Sequence, residues 1–275
     1  RGIRIRESHD IRIINCDISN FGRVVASVDS IGRPLDSSGN LNTHDAGIYF
    51  MDGSYNIVVE RCYIHDPKSN SNSWDGELPD GTPYTNTHPY GPNAIIYNKA
   101  NGTVIRYNDL IGGDGHRYND VLEGGDNSAP DGGLYKDSDV YGNFLIYSQD
   151  DSIELDGGQK NVRYYGNLNQ DALCGVSLAL TRKGPSYVFG NVITNLGDST
   201  GKSGVAIKNG YRYLDAPMGR AFLFNNTFIS NGWSTVAGWG ETPVLMDTKN
   251  NIILSTQSAN VHALSDDVFK SVNNN

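Results

Sequence analysis

The sequence predicts an all-β chain: a single-domain right-handed parallel β-helix of about eight coils spanning residues 1–275. Three observations predict it. A strand–Asn–strand motif recurs along nearly the whole chain. A second short apolar strand precedes each copy. No segment sustains a helical period with capping residues.

The recurring motif reads IINCDI (13–18), VERCYI (59–64), IRYNDL (105–110), VYGNFL (140–145), YYGNLN (164–169), VFGNVI (188–193), LFNNTF (223–228) and KNNIIL (249–254). Its fixed position is Cys16, Cys62, Asn108, Asn143, Asn167, Asn191, Asn226 and Asn251, with spacings of 46, 46, 35, 24, 24, 35 and 25. A base period near 24 with loop insertions accommodates all of these. Stacked asparagines at an interior bend satisfy one another's amides, which predicts an Asn ladder. Cys16 and Cys62 fill the same column as small buried thiols, reduced and without metal. The preceding strands are GIRI (2–5), GIYF (47–50), AIIY (94–97), DVLE (120–123), SIEL (152–155), GVSL (175–178), GVAI (204–207) and PVLM (243–246). Each turn of the repeat is therefore expected to hold two short strands and a loop. Insertions at 22–44, 66–92, 112–139 and 209–220 are expected to be long loops that wall a cleft. Their aromatic residues suit stacking on a flat polar ligand.

Composition bounds the partners. Net charge is −9 and pI about 5.0, so no basic stripe exists to neutralise phosphates and nucleic acid is excluded as a partner. No apolar run approaches the ~20 residues that span a bilayer. The three cysteines give no disulfide framework. The chain starts inside a strand pattern at Arg1, which reads as a mature or trimmed product. No long apolar outward stripe is evident in the pattern, so a monomer is expected.

Chemistry concentrates in QDDSIELDGG (149–158). Side chains i and i+2 of a strand share a face, so Ile153 and Leu155 point in, and Glu154 and Asp156 are displayed together on an outer surface. Asp150 and Asp151 lead into that strand. On the neighbouring coils Tyr49, Ile96, Ser177 and Lys208 fall at outward positions. Glu123 is ambiguous, but an unpaired inward carboxylate is costly, which favours its reaching the surface or a partner. Arg182 ends the next coil.

The repeat, together with DDSIELDGGQKNVRYYGN and RKGPSYVFGN, resembles the pectin-lyase-like right-handed β-helix superfamily, in particular bacterial members associated with polysaccharide breakdown. The resemblance implies a secreted, extracellular or periplasmic carbohydrate-active protein. Because that superfamily hosts several reactions, the reaction must be argued from the site. Two carboxylates of split pKa suit glycoside hydrolysis: Glu154 and Asp156 are the expected pair, helped by Asp151 and Arg182, with no cofactor. Asp131 with Asp150–Asp151 is similar in spacing to the polygalacturonase acids, but the other elements of that pattern are absent. Glu154, Asp156, Lys160 and Arg182 are similar in order to one lyase family, in which acidic calcium ligands precede a lysine base. In that alternative Glu154, Asp156 and Asp151 hold Ca²⁺ during β-elimination of a uronate polysaccharide such as alginate or pectin. Glu123, His116, Lys208, Tyr49 and Lys160 are the expected substrate-binding residues. A non-catalytic glycan-binding or adhesin β-helix is the remaining alternative.

Overall fold

The computed structural model describes residues 2–43, 45–78, 80–179, 181–202, 204–209, 219–230, 236–238, 245–255, 261–262 and 269–273. Among them the chain is all β, with no helix, and is built on three parallel sheets of nine, nine and eight strands, as in a parallel β solenoid. Sheet A runs through Ile3–Ile5, Asp45–Phe50, Pro92–Tyr97, Leu122–Gly124, Asp151–Glu154, Cys174–Leu178, Ile207–Asn209, Val236–Gly238 and Val261–His262. Sheets B and C take the two halves of the recurring motif, for example Val162–Tyr165 in B and Leu168–Gln170 in C.

Each turn of the repeat thus holds three strands, not the expected two. The B strand and the C strand are separated by only two residues, and the sequence pattern cannot reveal that the chain bends there. The bend has a local cause. The residue before the fixed position lies in the left-handed region throughout: Asn15, Arg61, Tyr107, Gly142, Gly166, Gly190, Asn225 and Asn250 have φ between 52° and 66°. Glycine reaches that region at no steric cost, and asparagine at little, which explains the Gly-Asn and Asn-Asn pairs. The asparagine that follows points inward. Asn108 Nδ2 donates to Asn143 Oδ1 at 2.9 Å, and Asn143, Asn167, Asn191 and Asn226 each donate to the next in turn at 2.9–3.1 Å. The Asn143 oxygen also accepts the Asn108 backbone N–H. Cys62 continues this column, its N–H donating to Asn108 Oδ1, and all three cysteines are free thiols.

Inside the solenoid, Ile48, Ile95, Leu122, Ile153, Val176 and Ile207 form one column of sheet A, all fully buried. Burying each such side chain is worth about 1.5–3 kcal/mol. Two strands fall elsewhere than the pattern predicts. GVAI shifts, so that the sheet A strand is Ile207–Asn209. PVLM does not form a sheet A strand: Pro243 and Val244 lie outside the described residues, and Leu245–Lys249 belongs to sheet B. The insertions carry short antiparallel pairs of their own, Ser27–Val28 with Pro34–Leu35 and Gly76–Glu77 with Pro83–Tyr84.

The outer face also departs from expectation. Tyr141, Tyr165, Phe189 and Phe224 stack ring on ring down sheet B with centroids 4.7–4.9 Å apart. Phe144 and Val192 lie exposed just beyond the bend. An apolar outward stripe therefore exists. Its aromatic faces are spent on one another, which leaves mainly ring edges to solvent.

Candidate active site on sheet A

The outward column of sheet A reads Tyr49, Ile96, Glu123 on consecutive strands, and Glu154, Ser177, Lys208 on the next three. Leu122 pairs with Ile153, so Glu123 and Glu154 stand side by side on adjacent coils. The acids of QDDSIELDGG are not on an open surface as expected. Glu154 is 9% exposed, Asp156 4% and Asp151 0%. Loops cover them. The segment 125–133 folds over Glu154 and packs against the turn at Gly157–Gly158. A Cβ at Gly158 would sit 2.1 Å from the Pro130 carbonyl oxygen, and Gly157 has φ +86°, so only glycines permit this approach.

Two acidic groups result. Oxygens of Asp120, Glu123 and Glu154 lie within 4.8 Å of one another, and so do ligand atoms of Asp150, Asp151 and Cys174. Asp120 Oδ1 accepts the Asp151 N–H at 2.7 Å. Asn119 Nδ2 donates to Asp120 Oδ2 at 2.8 Å and to Glu123 Oε2 at 3.0 Å. Glu154 Oε2 accepts the Gly124 N–H at 2.9 Å and Asn127 Nδ2 at 2.8 Å. Lys208 Nζ donates to Asp151 Oδ2 and lies 4.0 Å from Asp150. Asp156 accepts from Ser177 Oγ and the Ala179 N–H, both at 2.9 Å, and so faces the coil above Glu154.

The electrostatics follow from burial and crowding. Burial, then the charge of Glu123 and that of Asp156, pushes Glu154 well above the usual carboxylate range. Burial, then Glu123 and Glu154, pushes Asp120 the same way; the N–H donors on both its oxygens work in the opposite direction. Asp151 is pushed up to about 8 by burial, against the pull of Lys208 and with the help of Asp150. Lys208 is held well above its ordinary value: burial works against its charge, and the Asp151 and Asp150 carboxylates outweigh burial. Burial and Asp151 push the Cys174 thiol well up, so it stays protonated.

The expected residues are therefore only partly brought together. Glu154, Glu123, Asp151 and Lys208 converge. Asp156 is adjacent but engaged with Ser177. Lys160 is exposed, and its backbone forms an isolated parallel bridge with Lys136. His116 is exposed, its Nδ1 2.7 Å from the Pro67 carbonyl oxygen. Tyr49 lies two strands before Glu123 in the same column and is half-buried. Arg182 is half-buried; its N–H donates to the Gly157 carbonyl, and its Nε has no hydrogen-bond partner among the described residues. Asp131 sits in the covering loop, 3.6 Å from Lys99, and does not join Asp150–Asp151. The expected calcium set of Glu154, Asp156 and Asp151 is split: the oxygens that cluster with Glu154 come from Asp120 and Glu123. Of the loop aromatics, Trp74, His88 and Tyr90 pack on one another. Tyr211 and Tyr213 lie outside the described residues.

Asp120, Asn119 and Asn127 were missed. A signal was present for the first two. Asn119-Asp120-Val-Leu-Glu123 and Asp150-Asp151-Ser-Ile-Glu154 are the same pattern, one coil apart. Nothing in the sequence brings Asn127 onto Glu154, since that contact depends on how the loop folds back. No family model, curated protein or solved structure matches this chain.

Proposed function

We propose that the chain is a carbohydrate-active enzyme that cleaves glycosidic bonds of a polysaccharide by two-carboxylate hydrolysis, with Glu154 as the proton donor and Glu123 as its partner. The observation that carries this is the pairing itself: a buried carboxyl pushed toward its neutral form beside a half-buried carboxyl on the adjacent coil, under the 125–133 loop. Glycoside hydrolysis needs a carboxyl able to donate a proton with a second carboxyl beside it. Oxygens of the two lie within 4.8 Å, nearer the ~5–5.5 Å of retaining enzymes than the ~6.5–9.5 Å that leaves room for water in inverting ones. Glu154 would protonate the leaving oxygen while Glu123 attacks the anomeric carbon. Water activated by Glu154 would then release the sugar. Asp151 and Lys208 brace the floor, and Arg182 is the group available to clamp substrate from the coil above. The scaffold reads as a single right-handed β-helix of about eight coils with a continuous Asn ladder, and the protein as secreted or periplasmic.

A second reading, β-elimination of a uronate polysaccharide, is favoured by one feature. Asp120, Glu123 and Glu154 offer an all-oxygen set at chelating distance, and the buried Asn119 Oδ1 beside them has no hydrogen-bond partner among the described residues. Hard-oxygen sets of this kind suit Ca²⁺, which would neutralise the uronate carboxylate. Neutral and anionic polysaccharides, assayed for reducing ends and near-ultraviolet absorbance with and without chelator, separate the readings. Reducing ends without absorbance, unaffected by chelator, support hydrolysis. Absorbance that chelator removes overturns it in favour of elimination. Binding without turnover overturns both.

A further inference from the structure

The insertions at 22–44 and 66–92 enclose a cavity of about 470 Å³ that lies outside the acidic centre. Its size falls within the ~300–1,000 Å³ of small-ligand sites. One side is apolar, with Val24 and Val28 from the first insertion. The other is a run of hydroxyls and amides, residues 68–73 of the second insertion, joined by Gln149 and Ser199. In a chain of net charge −9, no Asp or Glu stands among the described residues that line it, and Lys68 is the one charged residue there. Donors are left over in this lining. Ser69 Oγ accepts from Asn42 Nδ2 at 2.7 Å, and Asn70 Oδ1 accepts the Arg117 N–H at 2.8 Å. The Ser69 hydroxyl, Asn70 Nδ2 and Lys68 Nζ donate to no described residue. Contacts outside the cavity hold it in shape. A Cβ on Gly32 would sit 2.7 Å from Tyr84 Cε1, and one on Gly76 2.6 Å from Tyr84 Oη, so the two insertions close on each other around this ring only through glycines. The second insertion is pinned to three coils: the Ser71 N–H donates to the Arg117 carbonyl at 3.1 Å, Gln149 Nε2 to the Ser71 carbonyl at 3.1 Å, and Lys202 Nζ to Asp75 Oδ2 at 2.5 Å. Gln149 stands two residues before Asp151, so the cavity and the acid-bearing strand share one segment.

We propose that this cavity is an accessory binding site for a sugar ring of the polysaccharide, apart from the reacting centre. A pyranose has an apolar C–H face and a rim of oxygen acceptors. The valine side suits the first, and the free donors of residues 68–70 suit the second. A ring hydroxyl and a ring carboxylate are both acceptors, so neutral and acidic sugars share this chemistry, and only the acidic one calls on Lys68. Because the walls are pinned from outside, binding orders few side chains and costs less. A polymer held both here and at Glu154 is bound twice by one molecule, which raises its affinity without any new reacting group. The ligand class rests on the polysaccharide reading above; the place of the site does not depend on which acids react.

Amide hydrogen exchange locates the ligand without any variant. The probes are two neutral hexasaccharides, cellohexaose and mannohexaose, and two acidic ones, hexagalacturonate and hexamannuronate. At least one is expected to slow exchange across residues 68–73 and at Gln149 in the wild-type protein. No slowing there by any of the four overturns the site. Asn70→Asp keeps the acceptor for the Arg117 N–H and removes the free donor, and is expected to weaken the bound probe about tenfold, the effect of one hydrogen bond. Unchanged affinity in this variant, once folded, overturns the assignment. Lys68→Ala alters an exposed side chain and separates the two kinds of sugar: an acidic probe should bind about tenfold more weakly and a neutral one equally well. An acidic probe held equally well by Lys68→Ala overturns the site as drawn. Slowed exchange at 68–73 in a protein that cleaves no polysaccharide keeps the site and removes the hydrolase reading. Cleavage with exchange slowed only around Glu123 and Glu154 keeps that reading and removes the site.

Discussion

Replacing Asp151 by asparagine should remove one pH-dependent contribution to the protein's stability. Asp151 is fully buried, its Oδ2 takes the Lys208 contact, and its Oδ1 has no hydrogen-bond partner among the described residues. Asparagine can keep its carbonyl toward Lys208 and set its NH₂ where the unpartnered oxygen was. The wild-type carboxyl is pushed up to about 8, from an ordinary value of 3.8. A folded-state pKa above the unfolded one means that folding takes up a proton between those two values. The stability that this supplies is complete below about pH 4 and is lost as pH rises toward 8. At about 1.4 kcal/mol per pH unit, the loss approaches 5–6 kcal/mol over the whole window and about 4 kcal/mol between pH 5 and 8. Asparagine does not titrate, so Asp151→Asn should gain on the wild type by that amount across the interval. Urea unfolding at pH 5, 6, 7 and 8 measures it. With a slope of about 2.5 kcal/mol/M, the midpoint of the variant should climb relative to the wild type by about 1.5 M. A difference between the two proteins that stays constant with pH would refute the reasoning, because it would mean Asp151 is ionised throughout and fully held by Lys208.

Glu154→Gln should fold normally and lose turnover by about 10²–10⁴-fold, the usual worth of a general acid; full activity on the true substrate would sink the site assignment. Lys160→Ala should leave kcat/KM within about twofold on the same substrate, since the Lys160 side chain is exposed, and a large loss would return it to the site. Asn167→Leu strips the backbone N–H of Asn143 and the amide of Asn143 of their acceptor, removes the side-chain donor from the Val140 carbonyl, and leaves Asn191 Oδ1 with the residue 167 backbone N–H alone of its two donors from that position. Equilibrium unfolding should show a loss of about 2–4 kcal/mol, at about 1–3 kcal/mol for each buried group left unpaired.

The period near 24, the Gly-Asn and Asn-Asn bends and the alternation of Ile153 and Leu155 with Glu154 are local properties. Each depends on residues within one coil, so sequence alone determined the all-β class, the column of asparagines and the strand that bears the acids. Even Glu123 beside Glu154 was written in the chain, as two copies of one short pattern. Tertiary structure decided the rest. Whether an outward carboxylate meets water depends on loops that return from elsewhere, and only the folded 125–133 segment, admitted by Gly157–Gly158, buries Glu154 and brings Asn127 to it. The choice of cation was likewise non-local. Lys160 is four residues from Asp156 and is exposed, whereas Lys208, more than fifty residues from Asp151, lies against it because stacking coils turns distance along the chain into a few ångströms across it.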